Sequence, residues 1–460
     1  MRVTLVQPPT GGSYPPLSLG SLAAYLAQRG HEPCIVDLQV PAQRERWEEL
    51  LVASRPGLVG FTALTPSIRE AGELAARARQ LVPDARTIIG GFHATMEPRE
   101  TLAEQPAFDY LCVGEGEETL AELCDRLEAG RGPEGTPGLA WRSGEEVELG
   151  PPRGRLADLD ALPKPHAFYD LEHYLDAGSF TYQYGYRCAS VISSRGCPFR
   201  CRFCSLPGKY VHQSASRLAG EVAEVVERGA GAVFFRDSTF TIDRRWVLDF
   251  CDEVRERALR FRWIANARPD RVDPEMLGRM KRAGCFALCY GVESGRDHVL
   301  EYYAKDHTVD DVRRAVAATQ AVGIRVVAYF MLGAPVETRA DIEASYRLAK
   351  ELGAERTIWK ILAPLPGCAI YEELKAKGVS LDYENIRTDK ASYPLADMTE
   401  AEVERRFRQL AREFAYARDT RWRVLWRRLR DVRSPADAWR LARRAARSLG
   451  RRLAGTGKKE

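Results

Sequence analysis

Short apolar segments alternate with amphipathic helical segments in the first third of the chain, and this pattern restricts its fold more than any other feature. Strands that alternate with helices form a parallel sheet covered by helices, and such sheets bind ligands where the strands end. The loops expected at those ends are residues 7–14, 62–66, 90–95 and 114–117. Five strands are predicted at residues 3–6, 33–37, 58–61, 87–89 and 110–113, with helices at 17–28, 68–81 and 117–128.

A second alternation begins near residue 189 and contains six strand and helix units within about 190 residues. Six such units predict a partial (β/α)6 barrel with its chemistry at the carboxyl ends of the strands. The strands are predicted at 191–194, 232–235, 261–265, 286–292, 324–332 and 357–362, and the helices at 215–227, 244–257, 274–283, 309–321 and 339–352.

Composition marks the boundaries between these parts. Residues 131–185 begin with a stretch dense in Gly and Pro, which predicts a linker with one small hairpin. We therefore expect an α/β chain with a Rossmann-like domain at 1–130, the linker, a partial barrel at 186–380 and a helical region at 381–460.

The composition excludes several classes of protein. With 460 residues and 45% hydrophobic residues, the chain suits a globular protein of more than one domain. No apolar run reaches the roughly 18 residues that a membrane span needs. Eleven cysteines, odd in number and partly clustered, predict metal or redox chemistry in a reducing cytoplasm rather than a disulfide framework.

Positive charge is concentrated at the C-terminal end. Residues 418–460 carry fifteen Lys and Arg against four Asp and Glu, although the net charge of the whole chain is only +4. The tail is interpreted either as a solvated amphipathic helix or as a contact with an acidic membrane surface. Nucleic acid is not expected as a partner, because the rest of the chain is acidic.

Three cysteines form the most specific motif of the sequence. Cys197, Cys201 and Cys204 follow the first predicted barrel strand with C-x3-C-x2-C spacing. Three thiolates in one loop are suited to a [4Fe–4S] cluster that keeps one iron open for a ligand. A zinc site completed by Cys188 or His212 is the alternative, since zinc prefers four ligands.

This motif and the segments after it resemble the radical S-adenosylmethionine (SAM) superfamily. The resemblance continues in order through FFRDSTFTID, WIANARPDRVD, GVESG, FMLGAPVET and LAPLPGCAIYEEL at residues 234–243, 263–273, 291–295, 330–338 and 362–374. It implies that the open iron binds the amino and carboxylate groups of SAM. It also implies that the reduced cluster cleaves SAM to a 5′-deoxyadenosyl radical, which removes hydrogen from a substrate.

The resemblance also implies roles for single residues toward SAM. Phe203 is expected beside the adenine, and Asp237 and Ser238 near the methionine amino group. Arg268 is expected at the carboxylate, which a guanidinium binds well, and Glu293 at the ribose hydroxyls. The structural alternatives are a helix cap for Asp237, a surface charge beside Asp270 for Arg268 and an internal ion pair for Glu293.

The N-terminal part resembles the cobalamin-binding domain of cobalamin-dependent radical SAM enzymes. The similar segments are Gln7-Pro-Pro and residues 15–26, 59–65, 88–95 and 110–119. The resemblance implies cobalamin contacts at Pro8, Thr62, Thr65, Gly90, Gly91, His93, Gly114 and Glu115. The Asp-x-His-x-x-Gly motif is absent, so His93 is expected to be a neutral hydrogen-bonding group rather than a cobalt ligand. A scaffold without cofactor is the alternative.

Together, the resemblances predict a cytoplasmic methyltransferase that adds a methyl group to an unactivated carbon of a small natural-product or lipid-like molecule. A radical cyclase, rearrangement enzyme or oxidoreductase without net methyl transfer is the alternative, and a cobalamin sensor with a vestigial barrel is a third. An electron donor such as flavodoxin or ferredoxin is implied.

The remaining cysteines are predicted mainly to pack in the core. Cys285 and Cys289 are expected on the same side of one strand, because side chains four residues apart on a regular strand point the same way. Cys368 replaces the hydroxyl residue usual in the resembling Pro-Gly-Thr motif. A substrate-contacting thiol is one interpretation of it.

Overall fold

The computed structural model describes residues 1–9, 14–177, 185–205 and 208–414. Its first five strands form a parallel sheet in the order β2-β1-β3-β4-β5. They are β1 (Arg2–Gln7), β2 (Glu32–Asp37), β3 (Leu58–Thr62), β4 (Arg86–Gly90) and β5 (Tyr110–Cys112). Each strand boundary lies within one residue of its prediction, because these short apolar runs are bordered by polar or turn residues.

Seven helices cover this sheet. They are α1 (Leu17–Gln28), α2 (Pro41–Arg44), α3 (Trp47–Ser54), α4 (Ile68–Leu81), α5 (Phe92–Met96), α6 (Pro98–Glu104) and α7 (Glu117–Glu128). The three predicted helices are confirmed at both ends. The other four were not predicted, since none exceeds eight residues and so none shows a clear helical period.

A hairpin extends the first sheet to seven strands. Strands β6 (Leu139–Ser143) and β7 (Glu146–Leu149) lie in the segment predicted as a linker with one hairpin. Strand β6 pairs antiparallel with β5, and β7 pairs antiparallel with β6. The predicted hairpin is therefore present, and it belongs to the N-terminal sheet.

The rest of the linker contacts both sheets. A 3-10 helix at Pro165–Ala167 and helix α8 (Leu171–Ala177) follow the hairpin. Buried His166 lies 2.8 Å from Glu221 of the C-terminal part, measured from Nε2 to Oε1. The Tyr174 hydroxyl donates to the carboxylate of Asp37, at the end of β2. These two contacts connect the linker to both halves of the molecule.

The second sheet is six-stranded, entirely parallel and open, in the order β8-β11-β12-β13-β14-β15. The strands are β8 (Cys188–Val191), β11 (Ala232–Phe235), β12 (Arg262–Ala267), β13 (Cys285–Glu293), β14 (Arg325–Leu332) and β15 (Arg356–Ile361). A separate two-stranded ribbon consists of β9 (Ser194–Arg195) and β10 (Val211–His212). This open arrangement confirms the predicted partial barrel.

Helices pack on the outer face of the second sheet. They are α9 (Ala215–Glu227), α10 (Arg244–Glu256), α11 (Pro274–Arg282), α12 (Asp297–Tyr302), α13 (Val309–Ala321), α14 (Arg339–Glu351), α15 (Ala369–Ala376) and α16 (Glu400–Glu413). Their start sites follow from capping side chains, such as Asp243, which accepts a hydrogen bond from the Trp246 amide. The core between helices and sheet contains Phe235, Phe250 and Trp263.

The structure corrects the prediction for the first barrel strand. The strand was expected at residues 191–194 but ends at Val191, where its pairing with Phe235 of β11 stops. The amide of Ser193 and the hydroxyl of Ser194 instead bind the carboxylate of Asp237. These bonds direct the chain out of the sheet, so that Ser194 begins strand β9.

The prediction that Cys285 and Cys289 face the same side is also wrong. Trp263 pairs with Cys285, but the next residue of β12, Ile264, pairs with Ala287. The extra residue is a β-bulge, which reverses the alternation of side chains beyond it. Cys285 therefore packs with the helices and Cys289 on the inner face of the sheet, so both are core residues.

No helix within the described residues is both long and apolar enough to cross a membrane. Within the region predicted to be helical, 381–460, the described residues form a 3-10 helix at Tyr383–Asn385 and helix α16 at Glu400–Glu413, so the prediction is wrong for residues 386–399. The arginine-rich tail at residues 418–460 lies outside the described residues, as do residues 10–13 of the first predicted loop.

Candidate functional site

The carboxyl ends of the strands in the two sheets face each other. Arg195, which follows β8, pairs with Glu117, which follows β5. The ring of His93, which follows β4, lies 4.8 Å from the ring of Tyr383, which follows β15 in the chain. The loops predicted to bind ligands in the two domains therefore contact each other.

The cysteine loop is held by its backbone. The Gly208 amide donates to the Cys197 carbonyl at 2.9 Å, and the Cys204 amide donates to the Cys201 carbonyl at 3.0 Å. Between them, the Arg202 amide donates to the Tyr303 carbonyl at 3.0 Å. All three cysteines are half-buried and none of them forms a disulfide.

The arrangement of these thiols fits an iron–sulfur cluster better than zinc. Among the His, Cys, Asp and Glu side chains of the described residues, only His31, Asp125 and Glu128 bring three potential metal ligands within 4.8 Å of one another. The thiols of the three cysteines are therefore farther apart than this. A tetrahedral zinc with bonds of about 2.3 Å needs its sulfur ligands closer than that. Each thiolate on an iron–sulfur cube binds a different iron, so wider spacing suits it.

The proposed fourth zinc ligands are also engaged elsewhere. Cys188 begins β8, whereas the three cysteines follow the other end of that strand. The Nδ1 atom of His212 lies 2.8 Å from the Gln213 carbonyl, and its ring packs on Tyr210 and Trp246. The structure therefore provides no zinc site from these residues.

Arg268 places a buried positive charge beside the cysteine loop. It is 4% exposed, its guanidinium lies 3.7 Å from the ring centre of Phe199, and its Nη1 lies 4.0 Å from Cys201 Sγ. Asp270 accepts from it at 2.9 and 3.2 Å. The alternative of a surface charge beside Asp270 is therefore right about the partner but wrong about the surface, because Arg268 is buried.

Two cations influence the Cys201 thiol. Burial raises the pKa of Cys201, and the charges of Lys305 and Arg268 oppose this effect, leaving the pKa above its usual value. Positive side chains at this position favour the thiolate form that binds metal.

Glu293 ends β13 in a strained conformation, with a φ of +63°. Its Oε1 accepts a hydrogen bond from Lys305 Nζ at 3.1 Å. The ion-pair alternative for Glu293 is thus present in the structure. Sequence analysis missed Lys305 because it lies in a turn without a recognisable motif.

Asp237 is 2% exposed at the end of β11. Its Oδ1 accepts from the Ser193 amide at 3.1 Å and the Ser194 hydroxyl at 2.5 Å, and its Oδ2 has no hydrogen-bond partner among the described residues. Burial raises the pKa of Asp237 to about 6. The helix-cap alternative is wrong, because Asp243 caps the next helix. Neighbouring Ser238 is exposed.

Phe203 lies inside the cysteine loop and is half-buried. Its ring packs edge-on against Tyr303 at 5.2 Å, and the Lys305 ammonium lies 5.8 Å from its centre. Phe203, Lys305 and Glu293 therefore form a connected group next to Cys204.

Glycines shape the rim of the N-terminal sheet. Gly91 has a φ of +97°, and a Cβ there would lie 2.6 Å from Thr62 Oγ1 and 2.9 Å from the Ala63 carbonyl. Only glycine fits such a position. A Cβ on Gly90 would make only ordinary van der Waals contacts. Gly114 has a φ of +84°, and its amide donates a hydrogen bond to the Thr95 hydroxyl at 3.1 Å. The exposed backbone at Gly91 and Gly114 leaves a rim that suits a large flat ligand such as a corrin.

His93 is 1% exposed, and its Nδ1 lies 3.3 Å from the Thr65 hydroxyl. Burial lowers the pKa of His93 to about 4, so the ring is neutral near pH 7. Glu115 accepts from the Leu156 amide at 2.9 Å, and the carbonyl of buried Pro8 accepts from the Gln7 side chain at 3.0 Å. His93, Glu115 and Pro8 thus already have protein partners, unlike the open glycine rim.

Cys368 is buried and caps α15. Its Sγ accepts a hydrogen bond from the Tyr371 amide at 3.3 Å, as a serine or threonine oxygen does at the start of other helices. Burial raises the pKa of this thiol, which disfavours a reactive thiolate.

Comparisons with known proteins agree with this architecture. Residues 6–124 match the B12 binding domain, and residues 191–349 match the radical SAM superfamily. An uncharacterized methyltransferase of Pyrococcus horikoshii, PH0819, is 30% identical over 83% of this chain and 84% of its own. The anaerobic magnesium-protoporphyrin IX monomethyl ester cyclase of Cereibacter sphaeroides is 29% identical over 83% of this chain and 65% of its own.

A solved structure has the same fold. It is the radical SAM methyltransferase TsrM of Kitasatospora setae with cobalamin and a [4Fe–4S] cluster bound, which superposes with a TM-score of 0.71 at 22% identity. The similarity covers 82% of this chain and 78% of TsrM. The domain order, the cysteine loop and the similarity to PH0819 together show that this chain belongs to the cobalamin-dependent radical SAM enzymes, a family that uses a [4Fe–4S] cluster, SAM and cobalamin.

Proposed function

We propose that this enzyme transfers a methyl group to an unactivated carbon of a small natural-product or lipid-like substrate. One observation carries the proposal: the loops expected to bind cobalamin and those expected to bind SAM contact each other, where Arg195 pairs with Glu117. When bound, the cofactors supply reductive cleavage of SAM and a cobalt-carried methyl group. This proximity allows both to reach one substrate.

In this proposal, Cys197, Cys201 and Cys204 bind the cluster. Asp237 accepts from the SAM amino group through Oδ2, which is buried and lacks a partner among the described residues. Arg268 supplies positive charge beside Cys201. Phe203, Ser238 and Glu293 complete the proposed SAM contacts.

Cobalamin is proposed to lie against the rim of the N-terminal sheet. Gly91 and Gly114 expose backbone there, and Thr62 offers a hydroxyl for the amide groups of the corrin. His93 orients Thr65 through their hydrogen bond and is not proposed as a cobalt ligand. The remaining proposed contacts are Pro8, Thr65, Gly90 and Glu115.

An apolar substrate is supported by exposed side chains in the strand-end loops. Six large apolar side chains are exposed among the described residues, and four of them, Tyr14, Leu64, Ile192 and Val336, follow the carboxyl ends of strands. Exposed apolar groups at a ligand-binding edge favour an apolar ligand. The Arg236 guanidinium stacks 4.4 Å from the ring centre of Tyr14, which joins the two domains at this surface.

The proposal includes three features of the cellular setting. Reductive SAM cleavage requires an electron, for which flavodoxin or ferredoxin is a suitable donor. A cytoplasmic location is supported by the eleven cysteines, none of which forms a disulfide. For the arginine-rich tail at 418–460, a solvated amphipathic helix is proposed, with peripheral contact with an acidic membrane as the alternative.

The similarity to the Cereibacter sphaeroides cyclase favours a second candidate, a radical cyclase without net methyl transfer. Both candidates are tested with cluster-reconstituted, cobalamin-loaded protein, a reductant and SAM that carries a trideuteromethyl group, incubated with extracts of small molecules. Methyl transfer predicts a product that contains CD3, together with S-adenosylhomocysteine and 5′-deoxyadenosine. A changed product without deuterium, formed with 5′-deoxyadenosine alone, would favour the cyclase instead.

A further inference from the structure

The turn between α12 and α13 is strained on both sides of Lys305. Ala304 and Asp306 have φ angles of +53° and +54°, and the ion-pair partner of Lys305, Glu293, has +63°. Only five non-glycine residues of the described chain have positive φ, and these are three of them. Such strain persists where surrounding contacts hold it and concentrates at functional sites. The turn at residues 303–307 is therefore a candidate functional element.

Lys305 retains unused hydrogen-bond donors in a buried setting. It is 5% exposed, and among the described residues its ammonium donates only to Glu293, at 3.1 Å. An ammonium has three N–H groups, so two remain for a ligand. Because a buried charged group is unfavourable unless its bonds are completed, an anionic acceptor fits this position.

The surrounding residues hold this ammonium in place. A Cβ on Gly291 would lie 2.5 Å from Glu293 Oε1 and 3.1 Å from Lys305 Nζ, so glycine there leaves space for the pair. The Arg268 guanidinium donates to the Lys305 carbonyl and binds Asp270 through two bonds. Arg268 thus supports the turn that presents Lys305.

We propose that Lys305 binds the carboxylate of the SAM methionine, with Glu293 orienting its ammonium. Arg268, which the sequence suggested for the same carboxylate, is then a positioning residue for the turn and for Cys201, 4.0 Å from its Nη1. A lysine acts here as a point charge, which a carboxylate accepts without a fixed bidentate geometry. The proposal rests on the SAM chemistry of the proposed function, but it does not require methyl transfer.

The test distinguishes the contribution of the carboxylate to binding from that of the rest of SAM. Binding of SAM and of decarboxylated SAM to the cluster-reconstituted, unreduced full chain is measured by anaerobic equilibrium dialysis. Lys305→Met is expected to weaken SAM binding by about 10- to 100-fold, as expected for a lost charge-assisted hydrogen bond. Binding of decarboxylated SAM is expected to change by less than about threefold, because that ligand lacks the carboxylate.

Two further variants complete the design. Lys305→Arg keeps the charge and is expected to retain the preference for SAM over its decarboxylated analogue. Lys350→Met removes an exposed lysine of α14 and is expected to leave both affinities unchanged. If Lys305→Met does not retain cluster iron, Lys305→Gln replaces it and the dialysis is repeated. The shift that SAM causes in the paramagnetic resonance of the reduced cluster is the second readout, lost without the ammonium and kept with arginine.

Unchanged affinity of Lys305→Met for SAM overturns the proposal. An equal decrease of its affinity for SAM and for decarboxylated SAM also overturns it, because that result would indicate only a structural role. Because no turnover is needed, the result is independent of the reaction catalysed. If SAM binding depends on Lys305 but the wild-type protein yields no deuteromethylated product, methyl transfer is contradicted and the proposed role of Lys305 is not.

Discussion

Half-buried Arg195 and buried Glu117 form an ion pair that joins the two cofactor-binding domains, with Nη2 of the arginine 2.6 Å from Oε1 of the glutamate. Glu117 is 4% exposed and also accepts a hydrogen bond from the Ser21 hydroxyl at 2.7 Å. Arg195 lies two residues before Cys197. Burial raises the pKa of Glu117, but the charge of Arg195 and its hydrogen bonds lower the pKa by more. The net pKa lies below its usual value, so the carboxylate is charged at neutral pH.

Removing one partner of this pair is predicted to destabilise the fold. Arg195→Met leaves the Glu117 charge buried without its cation, and the free energy of unfolding is expected to fall by about 3 to 5 kcal/mol. Urea unfolding followed by circular dichroism measures the change. Arg46→Met, which removes an exposed pair with Glu49, is the control and is expected to have little effect. Equal stability of the two variants would refute the assigned importance of the interdomain pair.

Replacing any cysteine of the loop is predicted to abolish the cluster. Cys201→Ala is expected to reduce iron and sulfide to background after anaerobic reconstitution, because a cluster with two protein ligands is poorly held. Cys34→Ala, at a cysteine in β2 that contacts Thr4, is the matched control and should retain both. Full iron content in the Cys201 variant would exclude this thiol as a ligand.

His93 is predicted to stabilise the fold without binding cobalt. With bound cob(II)alamin, the paramagnetic resonance spectra of the wild type and of His93→Gln are expected to be the same. Loss of a nitrogen splitting in the variant would instead identify His93 as an axial ligand.

The same histidine gives an acid-side pH dependence. Its pKa is lowered from 6.5 to about 4 by burial, so the unfolded state takes up a proton more readily. This contribution to stability is present above pH 6.5 and is lost as the pH falls to about 4, by about 3 kcal/mol. Urea unfolding between pH 7 and 4 should show a weaker pH dependence for His93→Gln. An unchanged dependence would contradict a buried neutral ring.

Glu337 is predicted to give the opposite pH dependence, with stability falling as the pH rises. Its side chain is fully buried, Oε2 accepts from the Gly333 amide at 2.6 Å, and burial raises its pKa from 4.5 to about 8. Since the unfolded state releases this proton more readily, stability declines as the pH rises from 4.5 through about 8, by on the order of 5 kcal/mol. Glu337→Gln should reduce this decline in urea titrations from pH 5 to 9. Exposed Glu145→Gln serves as the control, and matching pH profiles for the two variants would count against the assignment.

Cys368 is predicted to be a cap rather than a reactive group. Cys368→Ser keeps an acceptor for the Tyr371 amide and should preserve thermal stability, whereas Cys368→Ala should lower the unfolding free energy by about 1 kcal/mol. Formation of 5′-deoxyadenosine from SAM is expected to continue in both. Its loss in the serine variant, with the fold intact, would show that the thiol has a chemical role.

Local patterns in the sequence by themselves determined the two βα alternations, the ends of eight of the sixteen helices to within one residue and the grouping of Cys197, Cys201 and Cys204. Hydrophobic period, capping residues and short cysteine spacing depend on neighbours within a few positions, so they can be read along the chain. Only the tertiary structure decided the pairing of Arg195 with Glu117, 78 positions apart, and the bulge that separates the faces of Cys285 and Cys289. It also decided the ion pair between Glu293, at the end of β13, and Lys305, in a strained turn. Burial and strain depend on how strands and loops pack together in three dimensions.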